Sequence, residues 1–182
     1  FVDTHAHLDG EEFRSDLEDV VNRARKAGIC KVFIPAIDLR SIEGIYAICH
    51  RFPGFAYPMI GLHPEEVKAD WREVLTQMKQ ILAVSMASVV GTPVETRLSS
   101  AGTGERYVPP PVAIGEIGLD YYWSREFERE QLEAFEEQVE WAVEYRLPLM
   151  IHCRKAQNEL VKILRKYEER LAGGVFHCFT GN

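Results

Sequence analysis

The chain has 182 residues, 46% of them apolar and 27% charged, which is an ordinary globular composition and enough length for one domain with a full core. Its formal net charge of −7 argues against a basic platform that grips nucleic acid by phosphate neutralisation alone, although bound cations can invert the potential inside a single pocket. No run of 18 or more apolar residues occurs and Phe1-Val2-Asp3 opens without a basic or cleavable apolar leader, so the expected location is the cytoplasm.

Val2 to Leu8 reads as a first strand with Asp3, His5 and His7 at alternate positions, which the two-residue period of a strand turns to one face. Arg14 to Ala27 follows as a helix through Leu17, Val20, Val21, Ala24 and Ala27, stopped by Gly28. Ile29 to Ile37 is a second strand. Ser41 is placed as the N-cap of a helix bearing Ile42, Ile45, Tyr46 and Cys49, closed by Pro53-Gly54. Phe55 to Leu62 is a third strand ending at His63-Pro64. Asp70 then begins a helix with Trp71, Val74, Leu75, Met78, Ile81 and Leu82 on one face.

Periodicity weakens from about Ser85 to Pro110, where glycines, serines and Pro109-Pro110-Pro111 mark a long irregular connection, with Ser99 to Gly104 its expected mobile part. In a barrel, helix-to-strand connections lie at the end opposite the chemistry, so a tolerated surface excursion is expected rather than a lid. The next strand, Ala113 to Tyr122, carries Glu116 inside an apolar run before the polar-aromatic turn Asp120-Tyr121-Tyr122-Trp123. A helix from Arg125 to Tyr145 turns Leu132, Phe135, Val139, Ala142 and Val143 inward. Leu147 to Cys153 is a fifth strand holding His152. Asn158 to Leu171 is a helix ended by Gly173-Gly174, and Val175 to Phe179 is a sixth strand holding His177.

This alternation predicts an α/β fold with a parallel sheet covered by helices. His5, His7, His63, Glu116, His152 and His177 all fall near strand ends. A TIM-type (β/α)8 barrel brings such ends to one pocket more readily than an open sheet does. Residues 1–182 are therefore expected to form a single barrel domain, represented through about six of its strands, with the long connection at about 85–110.

A carboxylate buried without a partner is very costly, so Glu116 needs either an Arg or Lys, or a cation that it shares with the histidines. The His5-x-His7 pair points two imidazoles toward one ion at strand spacing. His152 and His177 could each be a satisfied core histidine, but their matching Ile151-His152-Cys153 and Phe176-His177-Cys178 contexts favour ligands. His63 is read as a substrate or phosphate contact, or else as a helix cap. His50 is read as a partner for a helix C-terminus. Arg154 and Lys155 at a strand end suit a phosphate or are simply solvated. Rings of the Tyr121-Tyr122-Trp123 turn could stack a base or close the barrel mouth. Cys30, Cys49, Cys153 and Cys178 form no C-x-x-C pair and are expected to be reduced and buried, with Cys153 and Cys178 packing toward the helices.

Asp3-Thr4-His5-Ala6-His7-Leu8-Asp9, Gly61-Leu62-His63-Pro64, Gly115-Glu116-Ile117-Gly118-Leu119-Asp120-Tyr121-Tyr122, Pro148-Leu149-Met150-Ile151-His152-Cys153-Arg154 and His177-Cys178-Phe179-Thr180-Gly181 resemble, in order and end to end, the successive motifs of the TatD family of metal-dependent deoxyribonucleases. The resemblance implies a barrel of the amidohydrolase superfamily with two divalent ions (Mg, Mn or Zn) and hydrolysis of DNA, often as a 3′–5′ exonuclease on single strands. It implies that His5 and His7 hold one ion, His152 and His177 the other, and Glu116 bridges them. His63 and Arg154 would contact phosphate, Tyr121 and Tyr122 the substrate, with Glu116 and His63 as the catalytic groups. The family continues through two further strands, the last supplying an aspartate, so the chain is expected to be a C-terminally incomplete barrel with a connection at 85–110 longer than usual. Two other functions remain open at this point: an amide or ester hydrolase of the same superfamily, and a catalytically inert metal-binding fragment.

Overall fold

A computed structural model of the chain describes residues 1–87 and 109–179. The apolar runs form six short strands: β1 (Val2–Asp3), β2 (Lys31–Ile34), β3 (Ala56–Pro58), β4 (Ile114–Asp120), β5 (Leu149–Arg154) and β6 (Gly174–His177). The helices between them are α1 (Leu17–Lys26), α2 (Leu39–Arg51), α3 (Trp71–Ala87), α4 (Glu128–Tyr145) and α5 (Gln157–Arg165). All pairings are parallel and follow chain order, β1-β2-β3 and β4-β5-β6, with an Ile60–Ile114 bridge joining the two triplets.

The six strands curl. β1 and β6 are not hydrogen-bonded to each other among the described residues, yet His5 beyond the end of β1 stacks on His177 at the end of β6, with ring centroids 3.6 Å apart. A flat sheet of this order would hold its first and last strands farthest apart, so the contact measures the barrel-type curvature. The core lies between sheet and helices: Ile117, Leu119, Phe135, Val139 and Leu160 belong to it. On the opposite face Met150, which shares its side of β5 with His152, packs with Met59 and Phe33 beneath the site. No helix among the described residues is long and apolar enough to cross a membrane.

Several boundaries differ from the sequence expectation for identifiable reasons. β1 stops at Asp3, well short of Leu8, because Asp3 Oδ1 accepts the His5 N–H at 3.1 Å and turns the chain out of the strand. Asp38 and not Ser41 is the N-cap of α2; Asp38 Oδ1 accepts from Ser41 N at 2.8 Å while the Ser41 hydroxyl reciprocates toward Asp38 N, so Ser41 occupies the third position of a capping box. α3 carries on through Ser85 to Ala87, and the rest of the expected 85–110 connection, Ser99 to Gly104 included, lies outside the described residues up to 108. Thr180-Gly181 also lies outside them. Cys49 and Cys153 are buried as expected, but Cys30, just before β2, and Cys178, just after β6, are exposed. His50 sits exposed in the last turn of α2.

Candidate metal centre

Glu116 sits mid-strand in β4, 3% exposed, and its two oxygens face different imidazoles. Oε2 lies 3.3 Å from His5 Nε2 and 3.7 Å from His7 Nε2, whereas Oε1 lies 3.2 Å from His152 Nδ1 and 3.8 Å from His63 Nε2. Of the two surroundings left open for the buried acid, the described residues place imidazoles and no Arg or Lys within ion-pair distance of it. His5 and His7 arrive from the loop after β1, which an Ala6 N–H to Phe33 carbonyl bond ties to β2. His152 comes from β5, in register with Gly118 of β4.

His63 does two things at once. Its Nδ1 accepts the Glu65 N–H as the N-cap of a 3-10 turn, Pro64–Glu66, leaving Nε2 to face Glu116. Both of the roles read for it from sequence, cap and site contact, use different nitrogens of one ring.

The candidate ligands group differently from the partition the resemblance implied. His177 pairs in register with His152 but stacks its ring on His5; His5, Glu116 and His177 bring ligating atoms within 4.8 Å of one another, and His63, Glu116 and His152 form a second such group. A third group comprises Glu65, Asp120 and His152. Asp120 was placed by sequence in a polar turn; instead it ends β4 at 2% exposure, with Oδ2 2.8 Å from His152 Nε2 and Oδ1 accepting the Tyr122 N–H. Its own N–H donates to the buried Gln131 Oε1. The signal was present: Glu116, Gly118 and Asp120 share one face of a strand.

The donor set fits divalent cations. His5 Nε2 and His7 Nε2 approach to 3.0 Å, about the spacing of two nitrogens on one ion with bonds of 2.0–2.1 Å. Their Nδ1 atoms are buried without partners, so the hydrogen-bonding capacity of both rings is concentrated on the Nε2 side. Burial, only partly opposed by Glu116, pushes the His5 and His63 pKa values down to about 4, which leaves both rings neutral at pH 7, His63 with its lone pair spent on the Glu65 N–H and His5 with one to offer. Burial acts against charge on Glu116 as well, but hydrogen bonds from His152 and His7 outweigh it and hold the carboxyl well below the usual range. His152 moves the other way: burial disfavours its cation, yet hydrogen bonds to Glu116 and Asp120 raise its pKa. A proton in the metal-free cluster is therefore drawn to His152, between its two carboxylates.

At the rim, Arg154 holds its guanidinium 3.5 Å from the Tyr122 ring centroid, and Tyr122 meets Trp123 edge to face at 4.7 Å. Lys155 is exposed beside the same ring. Tyr121 does not join them. It follows Asp120 on the opposite face of the chain, is buried in the core and carries Arg125 over its ring, which corrects the expectation that it contacts substrate.

Comparison with known proteins gives a consistent result. The family model described as TatD related DNase matches residues 2–182. An uncharacterized metal-dependent hydrolase, YabD from Bacillus subtilis strain 168, is 32% identical over 180 residues, covering 99% of this chain and 61% of the relative. A protein named 3′-5′ ssDNA/RNA exonuclease TatD from Yersinia pseudotuberculosis is 29% identical, covering 99% and 60%. Among solved structures, the TatD homologue YjjV of Escherichia coli K12 superposes with a TM-score of 0.77 at 30% identity, covering all of this chain and 61% of that one. A TatD-family hydrolase of Entamoeba histolytica shares the fold at TM-score 0.76 and 22% identity, over 100% and 59%. The chain thus spans about three fifths of the length of the relatives it matches.

Proposed function

Because this chain belongs to the TatD-related DNase family, we propose that it carries the centre of a divalent-metal-dependent hydrolase that cleaves phosphodiester bonds of single-stranded DNA from the 3′ end. The observation that carries this reading is Glu116, whose two oxygens each face a separate pair of imidazoles in a buried setting. The names of the exonuclease relatives, at 29% identity, support the polarity and substrate. Residues 1–182 act as one domain in this reading.

His5, His7, His177 and Glu116 would hold one cation, and His152 and Glu116 would contribute to the second. His63 keeps a substrate-contact role, since with Nδ1 accepting from Glu65 N–H the neutral ring carries its proton on Nε2, where it can donate to a phosphate oxygen. When bound, the ions supply Lewis acidity at the reacting phosphodiester. Arg154 binds the phosphate oxygens through its planar fork, already oriented by Tyr122. Asp120 receives a proton held on His152 Nε2 and so keeps Nδ1 turned toward Glu116. Tyr122 offers its exposed ring to the substrate strand.

The test is cleavage of end-labelled single-stranded oligonucleotides with Mn²⁺, Mg²⁺ or Zn²⁺. Stepwise shortening from the 3′ end is expected, abolished by EDTA and lowered at least about a hundredfold in His5→Ala, which loses a ligand. Intact DNA alongside turnover of amide or ester substrates would overturn the nuclease reading, and fewer than one retained ion per chain with no turnover would make the centre inert.

A further inference from the structure

On the Asp120 side of the imidazole cluster a cleft of about 200 Å³ opens between two loops. Pro64, Glu65 and Lys68 line it from the 3-10 turn after β3, Trp123 and Phe127 line it from the connection into α4, and buried Asp120 lies at its inner end. The sequence left Trp123 either to stack a base or to close the barrel mouth, and the proposed centre does not use it. Its side chain is 70% exposed, whereas Trp71 and Trp141, the other two tryptophans, are buried. A large aromatic face left in water beside a concave site gains by covering a ligand's ring.

Charge narrows the choice of ligand. The cleft sets one ammonium, Lys68, already bonded to the Glu65 carbonyl, against the two carboxylates of Glu65 and Asp120, a balance that disfavours phosphate. A neutral planar ring whose edge donates hydrogen bonds meets no such penalty. Phosphate finds its place at Arg154, and from there Tyr122 leads to Trp123 through the edge-to-face contact. Guanidinium, phenol and open indole therefore run in sequence from rim to cleft.

We propose that this cleft is a subsite for one unpaired nucleobase of the substrate strand, stacked on Trp123 with the adjoining phosphate at Arg154. The inference rests on the phosphodiesterase reading of the centre and adds a source of selectivity: a base within a duplex has its edge paired and its faces stacked, so it cannot enter.

Binding can be read without turnover. In EDTA, deoxynucleoside 5′-monophosphates should quench the emission of the one exposed tryptophan, while deoxyribose 5-phosphate should not. In the active protein, Trp123→Ala should raise KM for single-stranded oligonucleotides about 5- to 150-fold, with much less effect on an oligonucleotide whose terminal residue is abasic. Trp123→Phe should recover part of the loss, and neither variant should move the melting temperature. Quenching absent or equal with the sugar phosphate, or equal losses on abasic and intact strands, would overturn the subsite. Base-dependent quenching in a protein that cleaves no phosphodiester would support the cleft while overturning the reading of the centre.

Discussion

Replacing Glu116 by Gln keeps the shape of the side chain and removes its charge, so it isolates what the carboxylate does for cations. Both oxygens are engaged, Oε2 toward His5 and His7, Oε1 toward His152 and His63. An amide must present NH2 to one of these pairs, and an N–H cannot ligate; the other side keeps a neutral oxygen in place of an anionic one. Changing residues that merely orient a ligand costs about 10- to 100-fold in metal affinity, so losing a ligating carboxylate should cost about 100-fold or more. At a free-ion concentration one hundred times the wild-type dissociation constant, binding stabilises the fold by about 2.7 kcal/mol, whereas a site a hundredfold weaker gains only about 0.4 kcal/mol. The difference of about 2.3 kcal/mol corresponds to roughly 5–9 °C in a chain of this size. Thermal melts with and without Mn²⁺ or Zn²⁺, with ion content measured by mass spectrometry, provide the assay. A Glu116→Gln protein that keeps the wild-type thermal shift and ion content would refute the bridging role.

The metal-free protein should lose stability on mild acidification. His5 and His63 have folded pKa values near 4 and side chains only 9% and 13% exposed, so between pH 6.5 and 4 the unfolded chain binds protons that the folded one refuses. Urea melts in EDTA at pH 7 and pH 5 should differ by on the order of 2 kcal/mol per histidine, lower at pH 5. His152 runs the opposite way, its contribution growing as pH falls through its raised folded value and complete below pH 6.5, so it offsets part of the loss above pH 6.5 and none of that below. Equal stability at the two pH values would contradict the burial argument. Gly118→Ala should be severe, because at φ +150° its Cβ would stand 1.8 Å from the His152 carbonyl oxygen, at the register pair joining β4 to β5. A loss of about 3 kcal/mol or more, roughly 6–12 °C, is expected in circular dichroism melts, together with loss of ion binding; a variant that melts and binds ions like the wild type would show that the strands can separate there freely.

Much of the architecture was readable because its causes are local. The apolar runs read at 113–122 and 147–153 hold β4 and all but the last residue of β5, and the helical spacing of Leu75, Met78 and Leu82 became the buried stripe of α3. Glu116 was readable for the opposite reason, as a carboxylate whose surroundings forbid it to stand alone. Strand length was less legible, since it depends on where a side chain intercepts the backbone. Asp3 ends β1 in this way, and the two histidines that seemed to need a strand converge from a loop instead.

The site departs from the sequence reading in two ways that have different physical origins. Carrying the two-residue alternation of β4 past Leu119 puts Asp120 beside Glu116 and turns Tyr121 into the core, so a rule already in use sufficed for both. The pairing of His177 with His5 could not be reached this way. It depends on how far six strands curl, a sum of small twists over the entire sheet to which no short stretch of residues testifies. The same curvature decides which imidazoles share each oxygen of Glu116. Ligand identity at such a centre is therefore written in local pattern, while ligand partition is a property of the closing sheet.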